Sequence, residues 1–232
     1  MRGARDALKR GLMPPVLPQT KLLKNKYDLL RKEKPDDMPF LSHVQGDLMY
    51  ALASRSCVKR CLEIGFGTGS SALYMLEATQ VTQAIVTSID FRQSDFDNFG
   101  IAEFASSKHS KRHNLIEENS NTTLPTLMKE GAKFDMVFLD GWKVFDHLLL
   151  DTYYSSRMLA DGGYLFFDDA RMPSTRRVIS LIEKYYGFEE LDYSTYESGR
   201  HRAWFFVSQG FRSVRRSYRV FKRPDDFSKR AA

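Results

Sequence analysis

From about residue 42 the chain alternates between two textures. Short runs of almost uninterrupted apolar residues are followed by stretches in which apolar positions recur every three or four residues. "HVQGDLMYALAS" has the helical spacing and leads into the apolar run "RCLEIG". "AIVTSID", "HNLIEE", "FDMVFLD" and "GGYLFFDD" read as further strands. "FGIAEFASS", "TLPTLMKE", "DHLLLDTYYSSRML" and "TRRVISLIEKYY" read as helices between and after them. Strands apolar on both faces, separated by helices, predict βαβ units and a parallel sheet covered on both sides.

The end breaks this rhythm. "FEELDYSTY" and "HRAWFFVSQ" are strand-like and joined only by "ESGR", too short for a helix, so a hairpin is predicted and the last strand should run antiparallel. The expected fold class is therefore α/β: a Rossmann-like, seven-stranded, mostly parallel sheet with a terminal antiparallel hairpin and helices on both faces. Residues 19 to 34 predict a basic helix stopped by Pro35. The organisation expected is a basic helical extension over 1–37, one domain over 38–210 and a basic tail over 211–232.

Charge sharpens that division. Residues 1 to 34 hold ten Lys/Arg against three acids, and residues 211 to 232 hold eight against two. The body between them has 17 basic and 24 acidic residues. Basic arms on an acidic body allow contact with nucleic acid or an anionic membrane, although solvated or partner-packed tails are the plainer reading. Assembly into a homo-oligomer through the N-terminal segment is expected.

The length of 232 residues suits one α/β domain with appendages. No apolar run approaches the roughly 18 residues that span a bilayer, and the first twenty residues lack the apolar core of a secretory signal. That stretch is basic enough for a mitochondrial presequence, but it contains Asp6 and no serine. Cys57 and Cys61 fit reduced thiols, so a cytoplasmic location is expected.

The candidate chemistry lies where strands end. "LEIGFGTGSSALYML" places Gly65, Gly67 and Gly69 between a strand and a helix, where glycine lets backbone approach a ligand and the helix start offers free N–H groups. Glu63 precedes them, and Asp90 closes the next strand at the position of a ribose-binding acid. Together these favour a cofactor bearing a nucleoside. Asp140, Asp168 and Asp169 close two later strands. Singly, each acid reads as a helix N-cap. Converging on one crevice, three carboxylates repel one another unless a cation lies between them. An all-carboxylate set suits Mg²⁺, with Ca²⁺ or Mn²⁺ as alternatives. His109, His113 and His147 are scattered over predicted helix or loop and read as solvated, with His147 an alternative base.

Strand–"ExGxGxG"–helix followed by Asp90 resembles the S-adenosylmethionine site of class I methyltransferases, over about residues 38 to 208. The resemblance implies that Glu63 binds the methionine amino group, with Ser71 near its carboxylate. The backbone of Gly65, Phe66, Gly67 and Gly69 would lie along the cofactor. Asp90 would hold the ribose, Phe91 would flank the adenine, and Ser120 and Asn121 of "ENSNTTLP" would contact it. "DGWK" followed by "DD" resembles the divalent-metal-dependent O-methyltransferases, in particular the catechol and caffeoyl-CoA types. Those usually carry Asp-Asn at the second site, whereas the double Asp resembles macrocin-type sugar O-methyltransferases. By that resemblance Asp140, Asp168 and Asp169 ligate the metal, Asp140 also borders the cofactor, and Lys143 is the general base.

The expected function is thus methyl transfer from S-adenosylmethionine to a hydroxyl of a vicinal diol, catechol-like or sugar, on a small molecule or glycan precursor. The rivals are an RNA methyltransferase using the basic arms, a nicotinamide dehydrogenase, and a catalytically silent methyltransferase-like binding module. No Asn/Asp-Pro-Pro-aromatic motif of amino-group methylation is present.

Overall fold

The computed structural model describes residues 38–55, 57–105, 107–191 and 219–227. The expected basic helix over 19–34 and most of both charged arms lie outside them. Six α-helices are described: α1 (His43–Ala53), α2 (Ser70–Ala78), α3 (Phe99–Ala105), α4 (Ser120–Lys129), α5 (Phe145–Met158) and α6 (Pro173–Leu181). The strands are β1 (Arg60–Ile64), β2 (Ile85–Ile89), β3 (His113–Ile116), β4 (Phe134–Leu139), β5 (Leu159–Phe167), β6 (Glu189–Glu190) and β7 (Arg219–Lys222). They form one sheet in the order β3-β2-β1-β4-β5-β7-β6. β1 to β5 pair in parallel, and β7 runs antiparallel to both β5 and β6.

The period of two along the strands sorts their side chains onto two faces. Cys61, Met136, Phe138 and Phe166 go to one face, where they pack with α1 and α2 residues such as Leu48 and Tyr74. Leu62, Val137, Leu139, Leu165 and Phe167 go to the other, with Leu148 of α5 and Val178 of α6. Each central strand is thus buried on both sides, which is why its sequence is apolar without alternation. Burial of this kind stabilises by about 25 cal/mol per Å² of apolar surface.

The chain lays down β1, β2 and β3 outward, then returns to place β4 on the other side of β1. The loops leaving β1 and β4 must therefore diverge, and a crevice opens at their C-terminal ends. That crevice is where the expected glycines and acids fall.

One expectation needs correction. The last strand among the described residues comes from 219–222, inside the segment read as a tail, so the sheet extends past residue 210. "HRAWFFVSQ" lies outside the described residues. The physical reason sits within the basic run: Val220 and Phe221 are fully buried, and Phe227 beyond them packs on Tyr186 and Phe188. Arg219 donates to Glu183 and Glu190, each at 2.7 Å, and Arg223 pairs with Asp161 at 2.5 Å. These two charges, in a run that allowed contact with nucleic acid or an anionic membrane, are paired with the protein's own acids. Among the described residues no helix is long and apolar enough to cross a membrane.

Candidate functional site: a crevice with a glycine loop and three acids

A cavity of about 440 Å³ occupies the crevice. Its back wall is the loop after β1. Gly65 has φ +91°, and a Cβ there would stand 2.4 Å from the backbone oxygen of Asp140, so only glycine lets the loops of β1 and β4 pass each other. Gly69, at φ +75°, starts α2 where a Cβ would strike the Phe104 ring at 2.6 Å. Asp90 holds this loop in shape. Its Oδ2 accepts from Phe66 N–H at 2.9 Å and Gly67 N–H at 2.8 Å, and its Oδ1 accepts from Arg92 N–H at 2.8 Å. Asp90 also lines the cavity, as the expected ribose position requires. The Phe66 ring turns away, stacking on His113 with centroids 4.8 Å apart, and leaves its backbone to the cavity.

Glu63 is fully buried behind this loop and is not part of the wall. It accepts from Ser71 Oγ and, at 2.6 Å, from Ser88 Oγ. Burial pushes its carboxyl up to about 8, against the two serine bonds, and the nearby Asp140 and Asp90 add to the rise. Ser71 does line the cavity, so Glu63 reaches it through Ser71. Behind Ser88 stands His113, Nε2 3.0 Å from Ser88 Oγ, and burial holds its imidazole down to about 4.

The front of the crevice carries the acids. Asp140 follows β4; Asp168 and Asp169 follow β5, the latter with φ +47°. One carboxylate oxygen from each lies within 4.8 Å of the others. Oxygens on a single Mg²⁺ at about 2.1 Å are spaced about 3 to 4.2 Å apart, so the carboxylates would draw together by at most about 2 Å to share a hard ion. The donor chemistry fits too, since neither His nor Cys belongs to the cluster. Burial pushes the Asp140 carboxyl up to about 8; Lys143 opposes this and Asp168 adds to it. Burial also raises Asp169, again with help from Asp168.

A cation already stands among them. Lys143, with only 10% of its side chain exposed, places Nζ 2.9 Å from Asp140 Oδ1 and 3.9 Å from Asp169 Oδ2. The same Nζ donates to the Gly141 carbonyl at 3.1 Å. The repulsion read from sequence is thus partly met by the protein itself, and Lys143 is neither exposed nor remote.

The third wall is aromatic. Phe91 and Trp142 are half exposed and meet edge to face, centroids 5.8 Å apart; His147 meets Trp142 at 5.2 Å. Ser120 lines the cavity, whereas Asn121 is drawn off to His147 Nδ1 at 3.0 Å and is not in the wall. None of the three histidines behaves as a solvated residue. His147 lines the cavity, His113 stacks on Phe66, and buried His109 bonds Glu77 at 2.8 Å.

Two wall residues gave no sequence signal. Asp151 of α5 is buried, and burial lifts its carboxyl to about 6 against the opposing influence of Ser120. Gln45 of α1 donates to Asp168 Oδ1 at 2.6 Å. Asp151 falls on the inner face of "DHLLLDTYY" at helical spacing from Leu148, the one pattern that could have marked it.

Comparison with known proteins gives a consistent picture. A family described as a methyltransferase domain matches residues 62–170. The O-methyltransferase hkm8 of Aspergillus hancockii is 30% identical over 128 residues, 53% of this chain and 46% of that protein. The chain therefore spans about half the length of that relative. The S-adenosylhomocysteine-bound methyltransferase PaMTH1 of Podospora anserina superposes with a TM-score of 0.66 at 20% identity, covering 97% of this chain and 96% of that one. The Bacillus cereus O-methyltransferase in complex with S-adenosylhomocysteine gives 0.62 at 15% identity, over 82% and 89%. At those identities the likeness is one of fold.

Proposed function

We propose, from the premise that residues 62–170 are a methyltransferase domain on the class I fold, that this chain moves the methyl group of S-adenosylmethionine to a hydroxyl of a vicinal diol. The observation that carries the reading is the position of the three acids. They stand at the lip of the same cavity whose back wall is the glycine loop and Asp90. Donor and acceptor sites are therefore adjacent, as group transfer requires.

In this reading the glycine loop lies along the donor and Asp90 accepts from its ribose. Phe91 and Trp142 flank the purine beside Ser120. Ser71 and Asp140 face the methionine end, with Glu63 supporting Ser71 from behind. Asp140, Asp168 and Asp169 would hold a hard divalent ion, which when bound lowers the pKa of a coordinated hydroxyl. Lys143, its Nζ 2.9 Å from Asp140, would take the hydroxyl proton in its neutral amine form, after giving up its own proton to solvent as the divalent ion replaces it beside the acids. The acceptor oxygen then forms the O–CH₃ bond as the S–CH₃ bond breaks. That electron pair stays on sulfur, leaving S-adenosylhomocysteine.

RNA as acceptor has less support. Of the three described cations in the C-terminal basic run, Arg219 and Arg223 are paired with Glu183, Glu190 and Asp161. The experiment is a methyl-transfer screen of catechols and sugar diols beside their monohydroxy analogues and a structured RNA, with Mg²⁺ present. Methylation of diols alone is the expected result. Transfer to RNA, or equal transfer to monohydroxy compounds, overturns the acceptor assignment.

A further inference from the structure

The segment leading into α1 touches both halves of the site. Pro39 C=O accepts from Thr68 Oγ1 at 2.7 Å, and Leu41 N–H donates to Ser70 Oγ at 2.9 Å. These bonds seat residues 39–41 on the glycine loop. One turn into the helix, Gln45 crosses the crevice. Its Nε2 donates to Asp168 Oδ1 at 2.6 Å, and its Oε1 accepts from Ser42 Oγ at 3.2 Å. A carboxylate only accepts, so the amide nitrogen must be the end that faces Asp168. Gln45 is 5% exposed, and bonds at both ends of its amide fix its rotamer.

We infer that Gln45 is the positioning residue for Asp168, fixing the rotation of that carboxylate within the acid cluster and so setting the affinity for the divalent ion. This rests on the cation reading above. An amide suits the task. It is neutral, so it does not add to the crowding of negative charge. Its N–H bond holds Oδ1 and so fixes how the carboxylate is turned. Because α1 follows directly on the residues seated on the glycine loop, one segment borders the donor site and orients a ligand of the cation site. "VQGD" by itself gives no hint of this, since the partner lies 123 positions away.

The test uses the full chain and Mn²⁺ alone as probe, free Mn²⁺ being read by electron paramagnetic resonance. Gln45→Met fills the same volume without a donor, and Gln45→Asn keeps the amide but falls one methylene short. Both should bind Mn²⁺ 10- to 100-fold more weakly than wild type, the usual loss for a residue that orients a metal ligand. Their affinity for S-adenosylhomocysteine should stay within about twofold, and saturating Mg²⁺ should restore turnover. Unchanged Mn²⁺ affinity in both variants overturns the role of Gln45 and leaves the proposed function standing. A parallel loss of S-adenosylhomocysteine affinity also overturns it, since Gln45 would then be a packing residue. If wild type takes up no Mn²⁺, the cation reading itself fails and this inference falls with it.

Discussion

Lys143 Nζ lies 2.9 Å from Asp140 Oδ1 and 3.9 Å from Asp169 Oδ2, so the charge nearest the acid cluster is the group assigned as base. The two roles separate by experiment. Lys143→Met removes both the proton acceptor and a competing cation. Turnover should fall by about 10²- to 10⁴-fold, the usual contribution of a general base. Mn²⁺ affinity should hold or tighten, because the acids lose a competitor. A matching loss in Mn²⁺ affinity would make Lys143 a scaffold for the acids instead.

Gly65 is the tightest point of the crevice. Gly65→Ala combines φ +91° with a Cβ 2.4 Å from a backbone oxygen, and neither loop can yield without breaking the Asp140 N–H to Ile64 bond at 2.8 Å. A loss of roughly 2 to 4 kcal/mol is expected in urea unfolding. A loss under about 0.5 kcal/mol would show that the loops separate freely.

Glu63 makes stability depend on pH. Its carboxyl is raised in the folded state to about 8 from the ordinary 4.5. The folded protein therefore binds this proton more tightly than the unfolded chain. The contribution is fully present below about pH 4.5 and is lost as pH rises through about 8. Glu63→Gln should flatten the fall in stability between pH 5 and 8 by an amount of order 1 kcal/mol per pH unit. Identical slopes for wild type and variant would mean that Glu63 is ionised behind the loop.

The strand at 219–222 should be needed for folding. Phe221 is fully buried between β5 and β6, so Phe221→Ala should cost about 3 to 5 kcal/mol. Ending the chain at residue 210 should prevent cooperative unfolding altogether, because it bares two strand edges. Retention of a cooperative transition in the shortened chain would make β7 dispensable.

How much of this was legible depends on range. The βαβ alternation, the glycine loop and the strand-end acids follow local rules of periodicity and turn chemistry, and the structure places Asp90, Asp140, Asp168 and Asp169 around one crevice, with Lys143 against Asp140. Relationships across the fold were not legible. Gln45 reaches Asp168 over 123 positions, and Asn121 turns to His147 instead of the cavity. The buried pair Val220–Phe221 was hidden in a run dominated by Arg and Lys, whose charge outweighed its short apolar signal. His113 read as solvated because nothing local predicts Phe66 stacked on it.

The central claim is that Asp140, Asp168 and Asp169 hold one divalent ion beside the donor. The most direct measurement is methyl transfer to an accepted diol after EDTA treatment and dialysis, followed by Mg²⁺ titration, with Asp168→Ala alongside. Turnover should vanish with EDTA and return with Mg²⁺ in wild type, and stay absent in Asp168→Ala while that variant still binds S-adenosylhomocysteine. Full turnover in the presence of EDTA would contradict it.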